Sequence, residues 1–574
     1  MDSQKAVDLQ RWTAALATGN TSRIASVASD LAKAGSRVDT DYRFTVYDNL
    51  WNDMGSFGES IIEAQGSDPR NDCPTGKLVL KGTTDWVDVF ADCRNTMVGV
   101  TVETADLRFP FYVKSHNEHF EKGAWTHNIE LRGIYDILNY YVIWPTWWLP
   151  IQAQPISHAV FFWALQTCLE SMVAECALRL QTGINEFLNN ALSLNPDIRA
   201  WFGTLLLNNG NIFHSLKTPT YVKRTNPFLD TSPLFGRTVR METCGTVIKD
   251  ATKAYGVDTQ MDLWLPGDPQ PDRWANLSQP TYVFSTKDRS QIKGPFGNVL
   301  DSVIRTVVDL EGSLVGRALD PILNPKGPNP ALPDGAFDSS TLGVDFDPPY
   351  AIVIAPEQGD DTGAIEKCDI NHHTPDGWQH IIGGRSPKWL NDLFNATFAW
   401  LIDSLMIVVG FAGVPSDLLA GFMNNAFFAF QLVQHYERRA EVGPYHPAIE
   451  RFYPTASSPY NIETLFAFIN ALFDSRGYTA AMVTINLAGP EVPYILGKDI
   501  FKGGLMSLVY RKRTKILTDY IENVMWRITK DERTLTCQIG DGRRDEAPLS
   551  KHQRWITAAF EAAAVLTLSP QSSS

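Results

Sequence analysis

From Ile137 to Leu169 the chain runs without a single Asp, Glu, Lys or Arg, and only His158 could carry a charge there. A stretch so long and apolar must enter a bilayer, line a ligand pocket or fill a gap between packed protein surfaces. Its aromatic part, YYVIWPTWWLP from Tyr140 to Pro150, limits the choice. Pro145, Pro150 and Pro155 recur every five residues, and each removes a backbone donor and blocks the preceding helical turn. In hydrocarbon the carbonyls so released would go unsatisfied, so no stable membrane insertion is expected. A corner buried against protein is the expectation instead.

A second apolar run, SLMIVVGFAGVPS between Asp403 and Asp417, is short and interrupted by Gly410, Gly413 and Pro415. It reads as a buried helix that breaks. At the N-terminus Asp2, Lys5, Asp8 and Arg11 fall where a signal peptide would need an apolar core.

The chain has 574 residues, which implies several domains at roughly 150 residues each, and its 44% hydrophobic content suffices for real cores. Seven cysteines, Cys73, Cys93, Cys168, Cys176, Cys244, Cys368 and Cys537, form no CxxC pair, so neither a zinc site nor a disulfide framework is signalled. Cys168 and Cys176 read as small core residues, and Cys73 and Cys93 could pair only if adjacent strands meet there. A net charge of −14 argues against a surface that coats nucleic acid, which needs clustered Lys and Arg.

Along the chain two similar cycles emerge, and the fold class they predict is α+β and multidomain. A helical arm (1–41) with Ile24, Val27 and Leu31 at helical spacing precedes a β-rich region (42–133) with the runs FTVYD, KLVLKG, MVGVTVET, FPFYVKSH and WTHNIELRG. Their alternation between turn residues marks short antiparallel strands. The aromatic corner and a helix follow (134–200), the helix carried by Phe162, Leu165, Leu169, Met172, Cys176 and Leu180 with Gly183 as a stop. Residues 201–345 read as irregular, with the loops PGDPQPDRW and LNPKGPNPALPDGAFD flanking one apolar helix. A second β-rich region begins over 346–385 with AIVIAPE and WQHIIGG, gives way to a helical segment (386–478), and resumes over 479–545 with AAMVTINLAG, LMSLVYRKR, KILTDYIENVMWRI and RTLTCQIGDG. Those strands suit a small antiparallel barrel or sandwich. A helix on Trp555, Ile556, Ala559 and Phe560 and a frayed end close the chain (546–574).

Catalytic signatures are missing: there is no GxxxxGK[ST], GxSxG, HExxH or ordered EF-hand loop. Between strands, His116 and His119 would point to opposite faces, and so would the adjacent His372 and His373. Asp334, Asp338, Asp345 and Asp347 lack the EF-hand glycine. No catalytic residue, cofactor-binding residue or metal ligand is therefore expected, and no cofactor.

Longer motifs carry a resemblance. In IELRGIYDILNYYVIWPTWWLPIQAQPISHAVFFWALQTCL, a strand ends at Gly133. A Trp-Pro corner (Trp144, Pro145, Leu149, Pro150) follows, then Gln152 or Gln154 with Pro155, then an apolar helix. HIIGGRSPKWLND supplies Gly383, Gly384, Pro387 and Trp389. Near the C-terminus come Arg476-Gly477, Pro493-Tyr494, Gly497 with Asp499, the basic Arg511 to Arg513, and Ile539-Gly540-Asp541-Gly542. In this order the motifs resemble the tail-tip hub proteins, a kind of minor tail protein, of long-tailed phages that infect mycobacteria and other actinobacteria. The chain departs from that pattern at Gly503-Gly504 and by two extra residues before Pro493, and 200–300 adds little to the likeness.

The resemblance implies a structural virion protein, not an enzyme, at the distal tip of a phage tail. It implies a homotrimer in which two small antiparallel β-barrel-like domains per chain, with helical segments between them, form a pseudo-sixfold ring. That ring would meet a hexameric distal tail protein, the tape measure protein and other minor tail or tail-fibre proteins, and would let genomic DNA pass. Tyr140, Trp144, Pro145, Trp147, Trp148 and Pro150 then become candidates for a domain or subunit seam, since buried contacts favour aromatics; alternatively they cover their own core. Two other functions stay open: a receptor-binding tail adhesin, with its tip in 260–345, and a tail-associated cell-wall hydrolase.

Overall fold

The computed structural model describes residues 42–104, 107–149, 151, 154–182, 219–252, 257–289, 292–293, 345–346, 351–359, 365–383, 432–454, 471, 474–487, 496–497, 499–512, 514–530 and 532–540, with positions 10–12, 14–15, 23–24 and 27 of the N-terminal arm. The first β-rich region supplies β1 (Arg43–Tyr47), β2 (Asp53–Ser56), β3 (Ile61–Pro69), β4 (Thr75–Lys81), the short helix α1 (Val87–Ala91), β5 (Gly99–Thr104), β6 (Leu107–Glu121) and β7 (Ala124–Gly133). Next come β8 (Ala159–Ala164), α2 (Leu165–Thr182), β9 (Thr220–Val222), β10 (Leu234–Val239), α3 (Cys244–Ala251), β11 (Val257–Trp264), β12 (Thr281–Asp288), β13 (Ile292–Lys293) and β14 (Asp345–Phe346). The rest is β15 (Ala351–Ile354), β16 (Ile365–His373), β17 (Gln379–Gly383), β18 (Leu432–Gln434), α4 (Tyr436–Val442), β19 (Glu450–Pro454), β20 (Tyr478–Asn486), β21 (Leu505–Tyr510), β22 (Lys515–Thr529) and β23 (Arg533–Ile539).

Every strand run expected in 42–133 and 479–545 forms a strand, but the two regions do not close into separate barrels. They share one open sheet of 13 strands, ordered β16-β20-β23-β22-β3-β4-β7-β6-β5-β1-β2, with β15 and β21 branching from β22. The junction is β3, a strand the sequence hides because IIEAQGSDP offers small and polar residues where alternation would show large apolar ones. Its pairing with β22 sets Gly66 opposite Trp526. A Cβ on Gly66 would stand 2.2 Å from the indole, so the glycine is the space the Trp526 ring fills. Trp526 is buried and packs near Tyr42 and Phe109, with ring centres 5.9 and 6.1 Å away. A single core follows, in which Leu78, Val100, Phe111 and Leu131 from one half join Val483, Met506, Leu508 and Leu535 from the other.

A second core lies beside the sheet. Residues 219–289, expected to be irregular, contribute β9 to β12 and α3. Antiparallel β11–β12 takes parallel β9 at its edge, and β10 pairs with β8. Leu165, Leu169 and Met172 of α2 pack here with Leu234, Val247, Ile248 and Phe284. The helix begins at Leu165, because Phe162 belongs to β8. Of the N-terminal arm, Trp12 and Ile24 are buried against Ile352 and Val509. All seven cysteines are free, Cys168 and Cys176 buried as expected. Leu31, Gly183, the apolar helix expected within 201–345, residues 386–431 of the expected helical segment and the C-terminal helix lie outside the described residues, whereas within 386–478 the chain forms β18 and β19, both paired with β17.

Residues 68–73 weld the two cores. Asn71, in the left-handed region at φ 53°, donates to the Val257 carbonyl at 2.9 Å and accepts from the Thr259 amide at 2.7 Å. Arg70, buried, pairs with Asp258 and with Glu522 at 2.8 Å, and its guanidinium lies 4.5 Å from the centre of the Tyr520 ring. These carboxylates keep Arg70 protonated against the opposing desolvation. Lys502 reaches Asp68 at 2.6 Å.

Candidate interaction surface

The corner starts where β7 ends. Gly133 donates its amide to Pro74 at 2.8 Å, and a Cβ there would meet the Pro74 ring at 2.9 Å. Close backbone approach explains that glycine. A 3₁₀ turn over Ile134–Asn139 follows, burying Ile134, Tyr135 and Leu138. Tyr141 is then buried, its hydroxyl 2.9 Å from Thr220 Oγ1, while its carbonyl accepts from Cys244 N at 2.8 Å. Ile143 N donates to the Glu242 carbonyl at 2.9 Å. The chain is thus pinned to the start of α3 before the Trp-Pro turn begins.

Beyond it one side chain holds the turn. Gln154 Oε1 accepts from the Thr146 amide at 2.8 Å, and Gln154 Nε2 donates to the carbonyls of Thr146 and Leu149 at 3.0 and 2.9 Å. Prolines leave such carbonyls without helical partners, and the glutamine supplies the missing donors. Arg179 of α2 lies over the Trp144 ring, 4.1 Å from its centre, and donates to the Val142 carbonyl at 2.9 Å. Both halves of the turn are therefore fixed without a regular helix or strand.

The six candidate seam residues divide. Trp144, Pro145 and Trp147 are half-buried. Tyr140 and Trp148 face outward at 66% and 60% exposure, joined by Ile151 and Ile156. Covering its own core accounts for Tyr141 and Ile143, not for Tyr140 and Trp148. Pro150 lies outside the described residues, as do Gly384, Pro387, Trp389, Tyr494 and Asp541. Gly383 ends β17. Gly497 takes φ 86°, and a Cβ there would lie 2.7 Å from Leu107. Gly540 takes φ 84° and donates to the Tyr520 carbonyl at 2.9 Å, and Asp499 is buried. These motif residues hold turns of the fold; they do not gather at one site.

Sequence reasoning missed other exposed aromatics. Phe228, Trp274 and Tyr445 sit singly in turns rich in Pro, Asn or Asp. Phe120 and Trp125 pair at 5.1 Å on the tip of the β6–β7 hairpin. Lone aromatics in polar loops give no periodic signal. As expected, His116 and His119 fall on opposite faces, and His372 and His373 diverge, one meeting Thr479 Oγ1 at 2.8 Å and the other stacking on Tyr478.

One serine–histidine contact invites a catalytic reading and does not support it. Ser475 Oγ lies 3.1 Å from His380 Nε2, but it gives its proton to the Ala471 carbonyl at 2.7 Å and accepts from Arg438 at 2.6 Å. Both residues are fully buried, so substrate cannot reach the hydroxyl, and burial together with the nearby Arg438 pushes the imidazole down to about 3. Such a histidine is a poor general base at neutral pH. Among the described residues no helix is long and apolar enough to cross a membrane.

The class of protein is fixed by family membership: the chain is one of the tailed-phage proteins. The family model described as siphovirus ReqiPepy6 Gp37-like protein matches residues 43–541, and the chain belongs to that family. No curated protein matches it. Among solved structures it is similar to the tail protein from Neisseria meningitidis MC58, with 8% identity, TM-score 0.37, 88% of this chain and 97% of that one covered. The 43 kDa tail protein of prophage MuSo2 from Shewanella oneidensis gives 9% identity, TM-score 0.38 and coverages of 88% and 98%. A prophage tail protein from Listeria monocytogenes EGD-e gives 10%, 0.35, 90% and 99%.

Proposed function

We propose that the chain is a structural tail protein of a siphovirus and acts as the hub of the tail tip, the phage infecting an actinobacterial host. Membership in a siphovirus family and the order of hub-like motifs along one chain support this reading. The observation that carries it furthest is the corner: Tyr140 and Trp148 are held outward on a turn that Gln154 and Arg179 make rigid. Aromatics presented on a fixed backbone lose little ordering entropy on docking and are enriched in buried interfaces. In the proposed assembly three copies meet through this corner, and the β-rich halves of each chain make two of six positions below a hexameric distal tail protein. The net charge of −14 suits a conduit for DNA, since a lumen that bound phosphate would retard it. Tape measure protein and other minor tail or tail-fibre proteins would be its neighbours.

The test is the solution mass by light scattering, alone and with the distal tail protein. A trimer, or a three-to-six complex, is expected, and Tyr140→Ser with Trp148→Ser should return it to monomers whose circular dichroism matches that of the wild type. A wild-type monomer that ignores the distal tail protein overturns the hub reading in favour of a peripheral adhesin or a cell-wall hydrolase.

A further inference from the structure

The β6–β7 hairpin carries a feature unconnected with the corner. Along the inner part of β6, Phe109, Phe111 and Val113 face the core. A bulge between Val113 and Ser115 then inserts one extra residue, Lys114, and shifts the register. Bulges re-aim every side chain that follows. Here the shift turns His116 and Glu118 onto the face of β7 that carries Leu131, Ile129 and His127: His116 stands opposite Ile129, and Glu118 opposite His127. Without the extra residue both would lie on the other face.

The result is a compact donor set. His116 Nε2 is 3.1 Å from His127 Nδ1, and the ligand atoms of His116, Glu118 and His127 all lie within 4.8 Å of one another. His127 is buried at 3% exposure, His116 is half-buried, and Glu118 reaches in from the solvent side. Glu118 pairs with no cation among the described residues. Two nitrogens at tetrahedral positions about 2.05 Å from Zn²⁺ would stand about 3.3 Å apart. The observed separation needs only a small opening to admit the ion. Neutral imidazoles can turn both facing lone pairs inward by moving the shared proton to a far ring nitrogen.

We propose that His116, His127 and Glu118 form a site for a borderline divalent transition-metal ion, Zn²⁺ in the first instance, with the fourth position open to water. Two imidazoles and one carboxylate are a donor set that zinc accepts. Oxygen-seeking Mg²⁺ and Ca²⁺ would gain little from two nitrogens. The ion would sit where β6 and β7 leave the core, tying the strands below the exposed Phe120–Trp125 tip.

The test uses the full, untagged chain stripped with a chelator, titrated with ZnCl₂ by calorimetry and then loaded with Co²⁺ for its visible spectrum. One Zn²⁺ per chain is expected, with a tetrahedral Co²⁺ spectrum. Glu118→Gln, an exposed change that should not disturb folding, should weaken binding about tenfold or more, and His116→Gln should abolish it while the circular dichroism of the sheet is retained. Absence of saturable uptake by the wild type overturns the assignment. So does unit stoichiometry that survives in both variants.

Discussion

The Gly66–Trp526 pair joins two halves of the chain into one sheet, so a methyl at Gly66 tests whether that joint is as tight as it looks. In Gly66→Ala the new Cβ would stand 2.2 Å from Cε2 and Cζ2 of the indole, whereas carbon atoms rest at about 3.5–4.0 Å. Ring or strand must therefore move by more than about 1 Å. Neither has room, because Trp526 is 2% exposed and flanked by Tyr42 and Phe109. Overpacking of this kind costs about 1–3 kcal/mol, and the rigid ring argues for the upper end. Trp526→Leu alone should cost about 2–3 kcal/mol, less than full truncation of a buried Trp. In the double variant the clash has no partner, so its cost should stay near that of Trp526→Leu, a coupling as large as the Gly66→Ala cost itself, about 3 kcal/mol. Urea unfolding followed by far-ultraviolet circular dichroism measures all four corners of the cycle. A Gly66→Ala chain within about 0.5 kcal/mol of wild type, or costs that simply add, would refute the packing argument.

Three further outcomes follow from the geometry. Arg70→Met should destabilise the chain by about 3 kcal/mol, the lower part of the range for breaking a buried pair, because Arg289 still faces Asp258 at 3.3 Å; thermal melting checks it, and an unchanged melt would mean the weld between the cores carries no weight. Gln154→Leu removes three hydrogen bonds from the Trp-Pro turn, so amide exchange at Thr146 should accelerate at least tenfold, about 1.4 kcal/mol of lost protection, while strand amides stay protected. Burial raises the Glu175 carboxyl from 4.5 to about 7, so the folded state holds a proton that the unfolded chain releases between those values. Stability should therefore fall as pH rises from 4.5 to 7, by a few kcal/mol at most, and Glu175→Gln should flatten that slope; a slope unchanged by the substitution would place the titration elsewhere.

Some of this architecture was legible in local pattern. Alternation and turn residues located β1, β4 to β7, β15, β17 and β20 to β23, and three- and four-residue steps located α2, because period-two and period-3.6 signals are local. The prolines at 145, 150 and 155 argued against a lipid-facing span and for a buried corner, and of the two motif glutamines, Gln152 and Gln154, it is Gln154 that bonds to Thr146 and Leu149. Strands β9 to β12 escaped notice: RTV, MDLW and YVFSTKD lie between Pro-, Asp- and Gly-rich loops that read as insertions.

What the tertiary structure alone decided is which strand meets which. β3 carries no pattern of its own; Ala64, Gly66 and Asp68 form an inner face only because Trp526 and Lys502 fill what they leave open. That complementarity spans almost the whole chain, and no window of sequence contains it. The merging of two expected barrels into one open sheet follows from this single pairing. The histidine cluster has the same origin. His116 and His127 are separated by a hairpin and brought to one face by one bulged residue, so their chemistry depends on a register that only strand pairing fixes.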